Sequence, residues 1–469
     1  MSKSLTQIDD RQNFYGNYVS YDGYKVFELF PESVDDVNFI YSFRRNPKYY
    51  GIEFWKIDKF VGSTAQVMVP PSQESEFKKD LIRNKIKFRD FIDNLGDVFL
   101  YEKEELRHYA LNDVTSIGFK RYYRYKEIMQ YLNHLGKTHP EKVVVETVGK
   151  SHEGRDIKSV TILPKKNTSE VLTVMIDAAI HAREWITPAT ALYGIQQLVE
   201  GTNKGRYDHM LDGVKWVFMP LVNPDGYEYS HEKDRMWRKT RRKVGTCAGV
   251  DGNRNYDYMW GSTGASKNSC AQTFRGDEPF SEPETRAVKN VMESVADTCK
   301  LYLSLHSYGK YFLYPYGHTS KLPENWKDQD DVARAGADAI RKYSGAKYKI
   351  GSSRNVLYAA SGLSQDYAYE VMKIPVAITM ELPGGGRQGF DPPPSSIDHT
   401  VKETWEGIKS MAIRVVEKYS KNLNVFANDQ NYDDSEENDD IETNYDENEE
   451  DEKSVNVDGD DDEDDYDWS

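Results

Sequence analysis

Apolar and polar residues change their spacing several times between residues 24 and 92, which predicts a run of short elements. Alternation of apolar and polar positions predicts four strands, at 24–30, 52–58, 65–69 and 87–92. Two helical patterns lie between them, one capped by Ser33 and one opened by Pro70. The apolar positions of these helices are Val34, Val37, Ile40 and Tyr41 in the first and Phe77, Leu81 and Ile82 in the second. The order β-α-β-β-α-β predicts a small α+β open sandwich.

A charged segment at 101–114 separates this unit from the rest of the chain. Its composition predicts an exposed helix that acts as a linker. Arg107 within it is a candidate site for cleavage by a trypsin-like protease, because exposed linkers are where proteolysis concentrates.

Longer apolar runs alternate with helical patterns from 115 to 421. The strand-like runs lie at 143–149, 159–164, 171–180, 214–222, 300–307 and 376–382. We expect those that are too apolar to alternate to form central strands. The pattern predicts an α/β domain with a central twisted mixed sheet covered by helices. Ligand sites in such sheets lie at the loops that follow strand ends.

Composition changes the picture mainly at the two ends of the chain. Residues 428–469 hold 22 Asp or Glu and one Lys, a net charge of −21 in a chain of net charge −16, so the remainder carries +5. Low apolar content and self-repulsion predict that this acidic tail is disordered. We expect it to aid solubility, or else to bind a basic partner or the protein's own basic surface. Tyr432, Tyr445 and Tyr466 within it are candidates for sulfation.

The remaining composition excludes some classes of protein. No apolar run reaches the roughly 18 residues that would span a bilayer, so we expect no membrane domain. Residues 1–10 are polar and lack the apolar stretch of a secretory signal peptide, which leaves a removed signal or an unsecreted product as alternatives. The basic cluster of Lys239, Arg241, Arg242 and Lys243 has no nucleic-acid-binding module beside it, and we expect it to form a solvated face.

Candidate chemistry begins with His181 and Glu184, which lie three residues apart directly after the apolar run at 171–180. An imidazole and a carboxylate at this spacing can converge on one cation, and Zn²⁺ accepts both ligand types, although a surface ion pair explains the same spacing. His306 ends another apolar run and offers a third ligand, which would leave one coordination position for water.

Further motifs follow in a fixed order. They lie at 223–241, 249–257, 313–317, 356–368 and 378–390, and they contain the segments NPDGYEYS, GVDGNRNYD, LYPYG, VLYAASG and ELPGGG. With these motifs, residues 113–421 resemble the carboxypeptidase A/B family of zinc metallocarboxypeptidases. The resemblance implies one Zn²⁺ per chain, held by His181, Glu184 and His306. It also implies that the small N-terminal unit is an inhibitory prodomain.

The resemblance sets the expected organisation of the chain. The expected segments are a prodomain at 13–96, a connecting helix and activation segment at 97–114, a catalytic domain at 115–421 and the acidic tail at 428–469. It implies a secreted, monomeric zymogen that a trypsin-like protease activates. Its substrates would be the C-termini of peptides and proteins. We expect neither nucleic acid nor membrane as a partner.

The resemblance also implies a role for each site residue. Glu381 corresponds to the general base, and Arg238 to the cation that stabilises the oxyanion. Asn253 and Arg254 correspond to the pair that grips the substrate's terminal carboxylate, which makes the enzyme an exopeptidase. The further substrate contacts implied are Tyr358, which closes over the terminal residue, and Arg183 and Arg235, which lie along the bound peptide.

Supporting positions follow from the same comparison. Asp251 resembles the carboxylate that orients a zinc-bound histidine, here His181, and an Asx-turn role for the Asp-Gly pair is the less favoured alternative. Cys247 and Cys270 match the family's disulfide, which implies secretion, and Cys299 is interpreted as a packed thiol.

Gln365 falls at the base of the expected specificity pocket, where relatives carry an apolar residue or Asp. A neutral amide leaves a buried cation without a partner, so we expect a broad or polar-neutral preference.

Two alternatives to an active exopeptidase remain. One is a catalytically silent relative that binds peptides through the same fold, and loss of a ligand or base would favour it. All the expected ligand and base positions are present, which favours activity. The other is an endopeptidase, which the carboxylate clamp and the lack of a His-Glu-x-x-His motif disfavour.

Overall fold

The protein is described from a computed structural model. The structure describes residues 18–49, 51–57, 61–107, 114–165, 171–201, 208–384, 389–390 and 392–420. The predicted acidic tail at 428–469 lies outside these residues.

The N-terminal unit is an open sandwich with the predicted order of elements. Its helices and strands are β1 (Lys25–Phe30), α1 (Val34–Ser42), β2 (Glu53–Lys56), β3 (Ala65–Val69), α2 (Glu74–Arg83) and β4 (Lys87–Ile92). The strands form an antiparallel sheet in the order β2-β3-β1-β4. Ser33 caps α1 as predicted, through a capping box with Asp36.

The three apolar positions of α2 differ in burial. Phe77 and Leu81 of α2 are fully buried, whereas Ile82 is 67% exposed. Positions 77 and 81 are four apart and share a face, while position 82 is rotated about 100° from Leu81 toward solvent.

The linker helix α3 spans Leu95–Arg107. The prediction of a helix over 101–114 is confirmed for 101–107, but the helix is not exposed along its whole length, because Glu102 is only 4% exposed. The side chain of Arg107, the candidate cleavage site, lies outside the described residues, as does the chain at 108–113.

The larger domain is built on eight mixed strands in the order β13-β12-β14-β11-β7-β8-β6-β5. Those strands are β5 (Val143–Lys150), β6 (Asp156–Ile162), β7 (Leu172–Ala178), β8 (Val214–Met219), β11 (Cys299–Ser307), β12 (Tyr311–Tyr314), β13 (Lys349–Ser352) and β14 (Val376–Leu382). A separate hairpin is formed by β9 (Lys243–Val244) and β10 (Cys247–Ala248). Four of the six apolar runs form β7, β8, β11 and β14, which are neighbours in the middle of the sheet. The other two, at 143–149 and 159–164, form β5 and β6 at one edge.

Helices cover both faces of this sheet. They are α4 (Tyr125–Thr138), α5 (Ile186–Gln196), α6 (Pro224–Glu232), α7 (Pro283–Val295), α8 (Trp326–Ser344), α9 (Ser353–Val356), α10 (Ser364–Glu370) and α11 (Pro394–Tyr419). Alternate residues of the central strands enter two separate apolar cores, as Leu301 and Tyr302 illustrate. In the described ranges no helix combines the length and apolarity needed to cross a bilayer.

The prediction for the basic run that leads into the hairpin β9–β10 is wrong in part. The basic run at 239–243 does not form a uniformly solvated face: Lys239 is 4% exposed, and Arg242 Nε lies 2.7 Å from the Glu282 carboxylate. Lys243 is exposed as predicted. The hairpin is tied down by a disulfide between Cys247 and Cys270, and Cys299 is a buried free thiol.

Candidate active site

The ends of the central strands bring the polar residues together. Strands β11 and β14 run parallel, in a register that sets His306 directly beside Glu381. Strand β7 pairs with the other side of β11, and the chain turns after it at Ala179, whose φ is +58°. This turn carries the chain through His181 to Glu184 and into α5, so that three neighbouring strands deliver side chains to one edge.

His181, Glu184 and His306 form a buried cluster of possible metal ligands, with ligand atoms within 4.8 Å of one another. His181 Nδ1 lies 2.8 Å from Glu184 Oε1, and His306 Nδ1 lies 3.4 Å from Glu184 Oε2. The two Nδ1 atoms are 3.1 Å apart.

The outer nitrogens of both imidazoles fix the positions of their protons. His181 Nε2 lies 3.1 Å from Asp251 Oδ1, which can only accept. His306 Nε2 lies 3.2 Å from Ser304 Oγ, whose own hydroxyl donates to Asp177 Oδ1 at 2.7 Å. Both Nε2 atoms therefore carry hydrogen, and the two Nδ1 lone pairs face each other and a carboxylate. Such a set of donors repels itself unless a cation lies among them, and two nitrogens with one oxygen suit Zn²⁺.

The surroundings favour the metal-binding forms of His181 and Glu184. Burial acts to lower the pKa of His306, but Glu184 and Glu381 outweigh it and raise that pKa. Burial and the nearby Arg238 guanidinium lower the pKa of His181, which favours the neutral ring. Burial acts to raise the pKa of Glu184, but the two histidines outweigh it and lower that pKa, which favours the carboxylate. The Ser307 amide also donates to Glu184 Oε2 at 3.1 Å.

Asp251 connects the cluster to the neighbouring site residues. Its Oδ1 faces His181 and accepts from the Asn253 amide at 2.9 Å, while its Oδ2 accepts from Arg238 Nη2 at 3.0 Å and Nε at 3.2 Å. Burial opposes ionisation, but Arg238 and Arg254 hold the pKa of Asp251 well below its usual range. Arg238 is in turn fixed in position, with Nη1 3.8 Å from Glu184.

Asn253 and Arg254 lie on a short 3₁₀ turn at Gly252–Arg254 and are both buried. The Ser364 amide donates to Asn253 Oδ1 at 3.0 Å, so the Asn253 amide nitrogen points the other way. Arg254 Nε donates to the Gly264 carbonyl at 2.8 Å, and its Nη1 donates to the Asn253 carbonyl at 2.7 Å. Both side chains are therefore held rigidly by backbone groups.

Glu381 is partly exposed, unlike the buried residues around it in β14. The removal of solvent around its carboxylate raises its pKa to about 7, with Glu184 adding to this effect and His306 and Arg238 opposing it. A carboxylate with this pKa exchanges a proton readily near neutral pH.

Gln365 is buried on α10, 2% exposed. Its Nε2 donates to Ser353 Oγ at 2.9 Å, and its Oε1 has no hydrogen-bond partner in the described part of the chain. Ser353 is a contact that the sequence did not predict. Ser304, which orients His306, was also not predicted from the sequence. Its position two residues before His306 in the same strand could have identified it, because such residues share a face.

The N-terminal unit covers this site. Glu53 forms an ion pair with Arg183, and Glu102 Oε2 accepts from Arg235 Nε at 2.8 Å. Tyr358 packs against the apolar core of the N-terminal unit. The predicted peptide contacts Arg183 and Arg235 are thus bound to acidic residues of the first 107 residues. In the sequence, Glu53 lies in a predicted strand and Glu102 in the charged linker, and no local pattern at either position indicates this pairing.

Comparisons with known proteins match both parts of the chain. The profile described as zinc carboxypeptidase matches residues 128–407, and the profile described as carboxypeptidase activation peptide matches residues 27–102. The chain belongs to the zinc carboxypeptidase family. This carboxypeptidase therefore carries an activation peptide, consistent with a zymogen, and its His181, Glu184 and His306 cluster is a possible zinc site.

Named relatives extend the match. Carboxypeptidase B of Astacus astacus is 41% identical over 302 residues, which cover 64% of this carboxypeptidase and 98% of the relative. Zinc carboxypeptidase A 1 of Drosophila melanogaster is 33% identical over 407 residues, which cover 85% of this carboxypeptidase and 93% of the relative. The crystal structure of carboxypeptidase A from Helicoverpa armigera superposes with a TM-score of 0.77 at 31% identity, covering 85% of this chain and 99% of that one.

Proposed function

We propose that this chain is the secreted, monomeric zymogen of an exopeptidase that removes single residues from the C-termini of peptides and proteins. His181, Glu184 and His306 would hold one Zn²⁺. The bound metal supplies a Lewis acid that polarises the scissile carbonyl and makes water acidic near neutral pH. The observation that carries the proposal is the register that sets Glu381 beside His306.

Glu381 is the general base of this proposal. Its carboxylate accepts a proton from the attacking water and delivers it to the leaving amine, a cycle that its pKa of about 7 supports. Arg238, held by Asp251, aims a fixed cation at the oxygen that becomes negative in the transition state.

Asn253 and Arg254 form the carboxylate clamp. Because Asn253 Oδ1 is occupied by the Ser364 amide, its NH₂ group is the end that faces a ligand. Arg254 commits Nε and Nη1 to carbonyl oxygens, which leaves Nη2 to donate to a terminal carboxylate. Tyr358 would close over the bound residue once it leaves the prodomain core.

The prodomain would inhibit by occupying the substrate contacts. Its acids at Glu53 and Glu102 hold Arg183 and Arg235, the two residues proposed to bind the peptide further along. In this proposal the prodomain spans 13–96, the activation segment spans 97–114 with cleavage near Arg107, and the catalytic domain spans 115–421. The disulfide supports secretion, since such bonds persist in oxidising compartments.

Gln365 would set a broad or polar-neutral specificity. Its side chain is neutral, and its bond to Ser353 is a bond between neutral groups, so nothing in that pair compensates a buried basic side chain. We expect Gln365→Asp to raise kcat/KM for C-terminal Lys or Arg by at least about tenfold. Dominant release of Lys or Arg by the unsubstituted enzyme would contradict this specificity.

One experiment tests the central proposal. The purified zymogen is treated with trypsin, and released C-terminal residues are measured with and without a zinc chelator and after zinc is restored. Glu381→Gln, which keeps shape and loses the base, should lower kcat by about a hundred- to ten-thousand-fold. Activity that survives both chelation and the substitution would refute the mechanism.

A further inference from the structure

A cavity of about 450 Å³ lies beside the hairpin β9–β10, separate from the zinc ligands and the clamp. Its walls include two aromatic rings, three basic side chains and the disulfide. These residues are Tyr229, Trp237, Lys239, Arg241, Lys243 and the Cys247–Cys270 pair.

The cationic groups of this cavity are held in place but poorly neutralised. The Arg241 guanidinium stacks 3.5 Å from the ring centre of Tyr229 and 4.3 Å from that of Trp237. Its Nε is buried without a hydrogen-bond partner in the described part of the chain. The nearest carboxylate is that of Glu153, at 3.9 Å.

The two lysines add uncompensated charge. Lys239 is 4% exposed and donates to the Ser269 carbonyl at 2.8 Å, and burial lowers its pKa to about 8, with Asp251 opposing and Arg241 adding to the effect. Lys243 is exposed at the rim. Across the described ranges, neither lysine has a carboxylate within 4.0 Å, so the cavity favours an anionic ligand.

We propose that this cavity is the docking site of the chain's own acidic segment, residues 428–469. The segment carries a net charge of −21 against +5 for the rest of the chain, and it holds Tyr432, Tyr445, Tyr466 and Trp468 among its acids. Carboxylates would pair with Lys239, Arg241 and Lys243, and an aromatic ring would pack beside Trp237.

Tether length and local concentration favour this occupant over a free anion. The chain continues for 49 residues past Ser420. A flexible tether of that length reaches on the order of 40 Å, comparable to the diameter of a domain of some 300 residues. A tethered segment reaches an effective concentration in the millimolar range, so even a weak site is filled.

The test uses carbodiimide cross-linking of the full-length zymogen at low salt, with peptide mapping by mass spectrometry. We expect Lys243 to be linked to acids of 428–469 about ten times more often than Lys137, an exposed lysine outside the cavity, and the excess to vanish at high salt. The yield should not change on dilution, because the link is intramolecular.

A second measurement keeps the test decisive. Hydrogen exchange at 243–249 should accelerate several-fold in a full-length variant whose seven acidic residues at 460–467 are neutralised, and equally in Arg241→Gln. Equal linkage of Lys137 and Lys243 would overturn the proposal. So would links that disappear on dilution, since these would mean a second molecule, or exchange that neither variant alters.

Discussion

The ion pair between Glu102 and Arg235 ties the linker helix to the catalytic domain, and its loss should speed activation. The two side chains are 4% and 1% exposed and join at 2.8 Å. Removing one partner of a buried pair typically costs about 3–5 kcal/mol. Arg235 also donates to the carbonyls of Arg183 and Phe390 and stacks 3.6 Å from the Trp185 ring, so these contacts remain.

The conservative change Glu102→Gln keeps the size and some of the hydrogen bonding and removes only the charge, so we expect a cost below that range, about 2 kcal/mol. Since about 1.4 kcal/mol corresponds to a tenfold change in an equilibrium constant, the population of molecules with the linker open rises about 30-fold. Limiting trypsin cleaves in proportion to that population when reclosing is fast, so activity should appear about 30 times sooner.

Two controls sharpen this assay. Glu104→Gln changes an exposed acid of the same helix and should activate at the unsubstituted rate. The mature enzymes should have identical kcat/KM, because residue 102 leaves with the prodomain. Activation of Glu102→Gln at the unsubstituted rate, or equal acceleration by Glu104→Gln, would refute the role assigned to the pair.

Three further outcomes follow from the structure. Burial raises the pKa of Glu284 from 4.5 to about 8. Between those pH values the folded protein holds a proton that the unfolded chain has released, so the free energy of unfolding falls as pH rises. Glu284→Gln should therefore raise the melting temperature at pH 9 and leave it nearly unchanged at pH 4. The Cys247–Cys270 disulfide closes a separation of 23 residues, so replacing both cysteines with serine should cost about 3 kcal/mol in denaturant unfolding. Arg254→Met should raise KM about tenfold or more with a smaller change in kcat, and an equal loss in kcat alone would contradict the clamp.

Local sequence signals were sufficient for much of the fold. Ser33 and the spacing of apolar residues identified α1, and the apolar runs identified the strands in the middle of the sheet, β7, β8, β11 and β14. Ile82 is exposed although it is apolar, because it follows a buried leucine in sequence and points to another side of α2. Local patterns report which side of an element is apolar but not how far the covering partner extends.

The site was predicted as a set of residue types, while its construction was not. Spacing alone gave His181 and Glu184 as a pair, and the resemblance gave Asp251 as the partner of a histidine. Ser304, whose hydroxyl faces His306 Nε2, belongs to no motif and was not predicted. The acids at Glu53 and Glu102 were unpredictable for a similar reason, since their partners lie about 130 residues away. Contacts between distant segments are set by packing, which no local pattern records.

Under the proposed mechanism, the pairing of His306 with Glu381 makes catalysis depend on the alignment of β11 with β14. Adjacent side chains along a strand point to opposite faces, so a slip of one residue between β11 and β14 would turn one of the two away from the other. A refolded molecule with such a slip could be compact and rich in strand and still be inert. The specific activity of refolded, trypsin-treated protein therefore measures the fraction of molecules whose sheet is correctly aligned. Circular dichroism does not distinguish these molecules from misaligned ones.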